Sequence, residues 1–156
     1  MQDTSQQTYT ARLADLQKAM KEFGLEAIVL EPGPAMQYLT GVRWGKSERT
    51  FAVVLPAKGA PVWVLPGFEE MRARELIRPG DEIRVWQEDE SPFALIAQAL
   101  KDRGVTAGRV GMDDAMRFFV FNGVRTHAPK LDYASATPAL KSAGALNSAP
   151  ASQKKR

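Results

Sequence analysis

The chain has 156 residues, 44% of them hydrophobic and 25% charged, with a formal net charge of +3, one histidine and no cysteine. That length gives room for one domain with a true core, since a chain of about 150 residues buries roughly two thirds of its unfolded surface. The composition excludes general disorder, and a chain without cysteine has no disulfides, thiolate metal sites or cysteine nucleophile. No apolar run approaches the roughly 20 residues of a spanning helix. The polar start, Met1 to Gln7, lacks the form of a secretory signal. A cytoplasmic protein with no membrane partner is therefore expected.

Leu13, Leu16, Met20 and Phe23 recur at spacings of three and four, which predicts a helix over 10–23, capped by Thr8 or Thr10 and ended by Gly24. Ala27 to Leu30 predicts a short strand, stopped at Pro32-Gly33-Pro34 by two fixed φ angles and missing N–H donors. A helical turn through Met36 and Leu39 leads to a loop, Gly41 to Thr50, that carries Arg43, Trp44, Lys46, Glu48 and Arg49. Phe51 to Leu55 is a continuous apolar run of the kind a sheet buries on both faces. With Val62 to Leu65 it flanks Pro56 to Pro61, which predicts an antiparallel hairpin. Glu69 to Ile77 reads as a helix ended by Pro79-Gly80, and Ile83 to Trp86 as a strand wetted on one side.

Ser91 before Pro92 starts a helix, because the hydroxyl caps free N–H groups and proline has none to leave unsatisfied. Phe93, Ile96, Ala97 and Leu100 form its apolar face, and Gly104 ends it. The acidic cluster Glu88-Asp89-Glu90 precedes this N-terminus and complements the helix dipole, a simpler account than a metal site. Arg109 to Met112 predicts a strand, Ala115 to Asn122 a helix ending at Gly123, and Leu131 to Ala134 a last strand. Beyond Pro138 no apolar period survives, and residues 141–156 are expected as a disordered tail after a domain over 1–140. Strands alternating with helices, plus one hairpin, predict an α/β fold: a mixed sheet of about five or six strands with helices on both faces. Its expected core includes Ile28, Val29, Val53, Val54, Val62, Val64, Ile83, Val85 and Val110.

Few residues of the sequence point to chemistry. His127, ahead of Pro129, has no visible base beside it and reads as structural. Asp113-Asp114 is the one carboxylate pair at a strand end; neighbours on an extended segment point to opposite faces, so helix capping explains it better than joint chelation. Gly41-Val42-Arg43-Trp44-Gly45 has neither the spacing nor the following helix of a phosphate loop. Basic residues interleave with acids, which gives no footprint for nucleic acid. Neither a catalytic residue nor a metal ligand is assigned. Trp44 keeps two readings: a lid folded on its own core, or an anchor for a partner, since an indole and guanidinium groups on a loop suit contact.

Five segments in order carry a resemblance: Arg12-Leu13, Gly24 to Val29, Tyr38-Leu39-Thr40-Gly41, Ser47-Glu48-Arg49 ahead of a buried strand, and Pro66-Gly67-Phe68-Glu69. Residues 11 to about 140 resemble the creatinase N-terminal domain, the amino-terminal half of Xaa-Pro dipeptidases (prolidases), aminopeptidase P and creatinase. Ala35 departs from the asparagine often found there. The resemblance implies a non-catalytic module, because the family's two divalent metals sit in a following pita-bread domain whose two aspartates, histidine and two glutamates this chain lacks. No cofactor is implied for the chain itself. Pro138-Ala139-Leu140 and Leu146 to Ala151 look like a distorted interdomain linker, as in a truncated gene or a free-standing domain. The resemblance also implies a homodimer, or association with a full-length relative, in which the loop covers the partner's active site. Tyr38, Arg43, Trp44, Ser47, Glu48 and Arg49 are then the partner or lid residues. A small-molecule or peptide binder using loop 41–49 is the alternative.

Overall fold

Along the middle strands every second side chain enters a different core, as a period of two requires. The computed structural model describes residues 2–146. On one face Ile28, Leu30, Val53, Leu55, Trp63 and Leu65 pack together; on the other lie Ala27, Val29, Ala52, Val54, Val62 and Val64. These strands are β1 (Leu25–Leu30), β2 (Ala52–Pro56) and β3 (Val62–Pro66). With β4 (Glu82–Trp86), β5 (Arg109–Met112) and β6 (Asp132–Ser135) they make a six-stranded sheet in the order β4-β3-β2-β1-β5-β6.

Helices cover both faces, as the sequence predicts. The first core takes Leu16 and Met20 of α1 (Gln2–Phe23), Met36 and Leu39 of α2 (Pro34–Thr40), and Ala73 of α3 (Glu70–Leu76). It also takes Ala139 and Leu140 of α6 (Thr137–Ser142). The second takes Ile96, Ala99 and Leu100 of α4 (Pro92–Asp102) and Val124 of α5 (Phe118–His127). Ser91 Oγ accepts from the Ala94 amide at 3.1 Å, the cap expected at the start of α4. Gly24 has φ +69°, a conformation that suits glycine at a helix end.

Several boundaries move. The first helix begins well before residue 10, so Thr8 and Thr10 lie inside it, and Thr10 Oγ1 accepts from Arg78 Nη2 instead of capping. Phe23, placed on the buried face by its spacing, is 41% exposed. The helix predicted over 115–122 starts at Phe118 and runs through Gly123. Gly123 does not end it, because the site exists for packing: a Cβ there would stand 2.4 Å from Phe93 Cγ on α4. Ile83 and Val85 are partly rather than fully buried, since β4 is an outermost strand. The boundary expected at 140 falls inside α6, which Pro138 helps to start and which packs on α1, and Ala145 beyond it is 5% exposed. Residues 147–156, most of the expected tail, lie outside the described residues.

Strand direction decides where the loops gather. β1 is antiparallel to β2 and β2 to β3, whereas β1–β5, β3–β4 and β5–β6 are parallel. The carboxyl ends of β1, β3, β4, β5 and β6 therefore share one end of the sheet with the start of β2. The connection 41–51 arrives at that end.

Candidate functional site

The loop leaves α2 through a fixed turn. Gly41 has φ +79° and would bring a Cβ to 2.8 Å from the Tyr9 ring, so glycine is required twice over. Thr40 Oγ1 donates to the Met36 carbonyl at 2.6 Å and accepts from the Val42 amide at 3.1 Å, and Val42 is 1% exposed. Trp44 then stacks on Phe51, with centroids 4.4 Å apart, while the Arg72 guanidinium lies 4.5 Å over the indole. Ser47 Oγ accepts from the Arg49 amide at 3.1 Å, closing a small turn at the tip. Arg49 pairs with Glu88 and lies 5.0 Å over the Phe68 ring. At the far end the Thr50 carbonyl accepts from Trp86 Nε1 at 3.0 Å.

A second anchor was not legible from sequence. Glu31, at the end of β1, is 1% exposed, and Arg117 stands just before α5. Glu31 Oε1 accepts from Arg117 Nη2 at 2.6 Å and Nε at 3.0 Å, and Oε2 accepts from the Arg117 amide at 2.8 Å. Arg117 Nη1 donates outward to the Ser47 carbonyl at 2.7 Å. The pair spans 86 positions, and no local pattern connects its members.

The predicted residues thus take different places. Trp44, Ser47 and Arg49 form the fixed part of the loop, and Arg43 and Glu48 are exposed with no ion pair among the described residues. Tyr38 is partly buried away from them: Arg12 Nη1 donates to its carbonyl at 2.8 Å and the guanidinium lies 4.0 Å over its ring. Large apolar side chains flank the loop on both sides. Phe68 by Arg49 is 67% exposed and Phe119 by Arg117 is 44% exposed, and Met71 and Phe118, near them in sequence, are 84% and 69% exposed.

Asp113 and Asp114 at this end are engaged in structure. Asp113 Oδ1 accepts from the Ala115 amide at 2.9 Å, holding a turn ahead of α5 rather than capping the helix itself. Asp114 Oδ2 accepts from Thr137 Oγ1 at 2.7 Å. Hydrogen bonds from Ser135 and Thr137 hold the Asp114 carboxyl below its ordinary range. Among the described residues no group of three or more His, Cys, Asp or Glu side chains could hold a metal ion, and no helix is long and apolar enough to cross a membrane. A hollow of about 360 Å³ elsewhere is lined by Lys101, Val105, His127, Lys130 and neighbours. Lys101 sits in the last turn of α4, where a cation complements the helix dipole, and His127 lies in the last turn of α5. His127 Nδ1 donates to the Gly123 carbonyl at 2.9 Å.

Fold and site together define a mixed α/β domain that gathers a structured loop and exposed apolar flanks at one end of its sheet. Residues 12–143 match the Creatinase/Prolidase N-terminal domain, and the chain belongs to that family. It is 35% identical over 96 residues to a probable dipeptidase PepE of Mycobacterium bovis, covering 60% of this chain and 26% of that protein. The crystal structure of dipeptidase PepE from Mycobacterium ulcerans superposes with a TM-score of 0.73 at 29% identity, over 86% of this chain and 36% of that one. The creatinase/prolidase N-terminal domain of an X-Pro dipeptidase from Streptococcus pyogenes shares the fold, with a TM-score of 0.71 at 22% identity, over 84% and 97% of the two chains. This chain spans about a quarter of the length of the curated relatives it matches. It corresponds to the amino-terminal, non-catalytic part of prolidase-family proteins.

Proposed function

We propose that this domain works through protein contact: its strand-end surface docks on a second copy or on a full-length relative, and loop 41–49 covers a peptidase active site there. One observation carries the reading. The loop is structured, yet Phe68 and Phe119, which meet the arginines Arg49 and Arg117 that hold it, stand exposed, as do Met71 and Phe118 near them in sequence. Exposed apolar groups beside arginines and a half-buried indole are what an interface centre is made of. The relatives' dipeptidase names supply the kind of active site.

Size-exclusion chromatography with light scattering tests the docking, with the chain alone and mixed with a full-length prolidase-type relative. Self-association or capture is expected, weakened by Phe68→Ser with Met71→Ser. A monomer at every concentration that ignores the relative would end the reading. In the same reading the chain alone hydrolyses no Xaa-Pro dipeptide, with or without added Mn²⁺. Metal-dependent turnover that copurifies and disappears on changing Asp113 or His127 would overturn that part.

A further inference from the structure

A single guanidinium joins the innermost carboxylate of the sheet end to the outermost turn of the loop. Three of the four hydrogen bonds of Arg117 named above go to Glu31, and the fourth leaves the pair for the Ser47 carbonyl. A carboxylate as buried as Glu31 needs a hydrogen-bonded cation, so Arg117 is held firmly by its inner contacts. The fork of the guanidinium lets Nε and Nη2 grip the carboxylate while Nη1 faces elsewhere; a lysine carries its three donors on one nitrogen, which cannot occupy all of these positions at once. Phe119 lies 4.9 Å from the same guanidinium and screens it from solvent on one side.

The loop needs such a hold. From Gly41 to Ser47 it has no helical or ladder structure, and Gly45 to Glu48 are exposed. Trp44 and Arg49 fix its two shoulders from the β3–α3 side, and Arg117 fixes the tip from the α5 side. We propose that Arg117 is a positioning residue for loop 42–50, carrying the rigid placement of Glu31 outward to Ser47 and so fixing the surface that the loop offers a partner. The last clause rests on the docking reading above; the tether itself does not.

Limited trypsin digestion of the intact chain tests it, because Arg43 and Lys46 are exposed cleavage sites within the tethered span. Arg117→Lys keeps a cation for Glu31 and gives up Ser47. Glu31→Leu combined with Arg117→Met replaces the buried pair by apolar groups, a change that often preserves stability while removing the tether. In both variants cleavage after Arg43 and Lys46 should quicken by about tenfold, since nicking follows the open population of a segment. The double variant should keep a melting temperature near that of the parent, which a merely structural ion pair would also allow, but without faster nicking. Unchanged nicking in both variants overturns the proposal. So does global unfolding of Arg117→Lys, which would make the pair a requirement of the fold rather than of the loop. Light scattering on the same variants separates the two readings: faster nicking with association unaltered keeps the tether and counts against docking.

Discussion

The indole of Trp44 lies flat on the ring of Phe51, with planes 17° apart, and Phe51 in turn meets Trp63 edge-on at 5.9 Å. Phe51 is 2% exposed and Trp63 fully buried, so the core continues outward through one aromatic column into the base of the loop. The reading of Trp44 as folded on its own core holds for its inner face, and the rest of the indole, partly buried, lies on the loop surface.

Removing that indole should weaken the domain as well as its surface. A stacked aromatic pair contributes about 0.5–1.5 kcal/mol beyond area burial. Trp44→Ala is expected to lose about 1–2 kcal/mol, a fall of several degrees in melting temperature, whereas Trp44→Phe keeps most of it. A melting temperature unmoved by Trp44→Ala would show that the column carries no load.

Position in the sheet should grade the core. Ile28 on the central strand is 0% exposed, and Ile83 lies partly buried on the outermost strand. Ile28→Ala is expected to cost about 2–5 kcal/mol and Ile83→Ala distinctly less. Chemical denaturation of the two variants checks the ranking, and equal midpoints would contradict it.

Gly123 allows α4 and α5 to approach closely. Adding one methyl group drives a Cβ into Phe93, where the ring root rather than a flexible tip stands in the way. Gly123→Ala should destabilise by about 1–3 kcal/mol even though alanine is the better helix former. Combining it with Phe93→Leu should recover part of that loss, and strict additivity of the two changes in thermal melts would refute the contact.

Asp81 gives a pH test. Burial raises its carboxyl above the ordinary range, against a hydrogen bond from Trp63 Nε1 at 3.0 Å and the charge of Arg78. A raised folded value means that the favourable contribution is complete below the unfolded pKa and is lost as pH rises through the folded one. Asp81→Asn keeps an acceptor for the indole and removes the charge. Its melting temperature should exceed that of the parent at neutral pH, with the gap closing as the pH falls to about 4. A gap that widens on acidification would reverse the assigned sign.

Most of the fold was legible in local pattern. Ala27 to Leu30, Phe51 to Leu55 and Val62 to Leu65 announce buried strands by apolar continuity, and Ser91-Pro92 announces a helix start. What was missed depends on distant partners. Gly123 looks like a helix stop until Phe93 is placed against it, and α6 offers too few apolar residues to show a period before α1 receives them. The site divides the same way. Loop composition marked Trp44 and Arg49, but the Glu31–Arg117 pair that steadies Ser47 depends on the end of β1 meeting the start of α5 in space.

The two outer strands of the sheet have a consequence for how copies of this domain can meet. β6 has four residues, and β4 carries Glu82 and Arg84, with Arg84 bonded to Glu82 at 2.6 Å and to Asp102 at 2.8 Å. Arg103 adds a further contact to Glu82 at 3.1 Å. A short margin on one side and a charged lacework on the other are the features that discourage neighbouring chains from extending a sheet by backbone pairing. Growth into open-ended, amyloid-like stacks is disfavoured at both margins, so the docking proposed above would run through side chains rather than through an added strand.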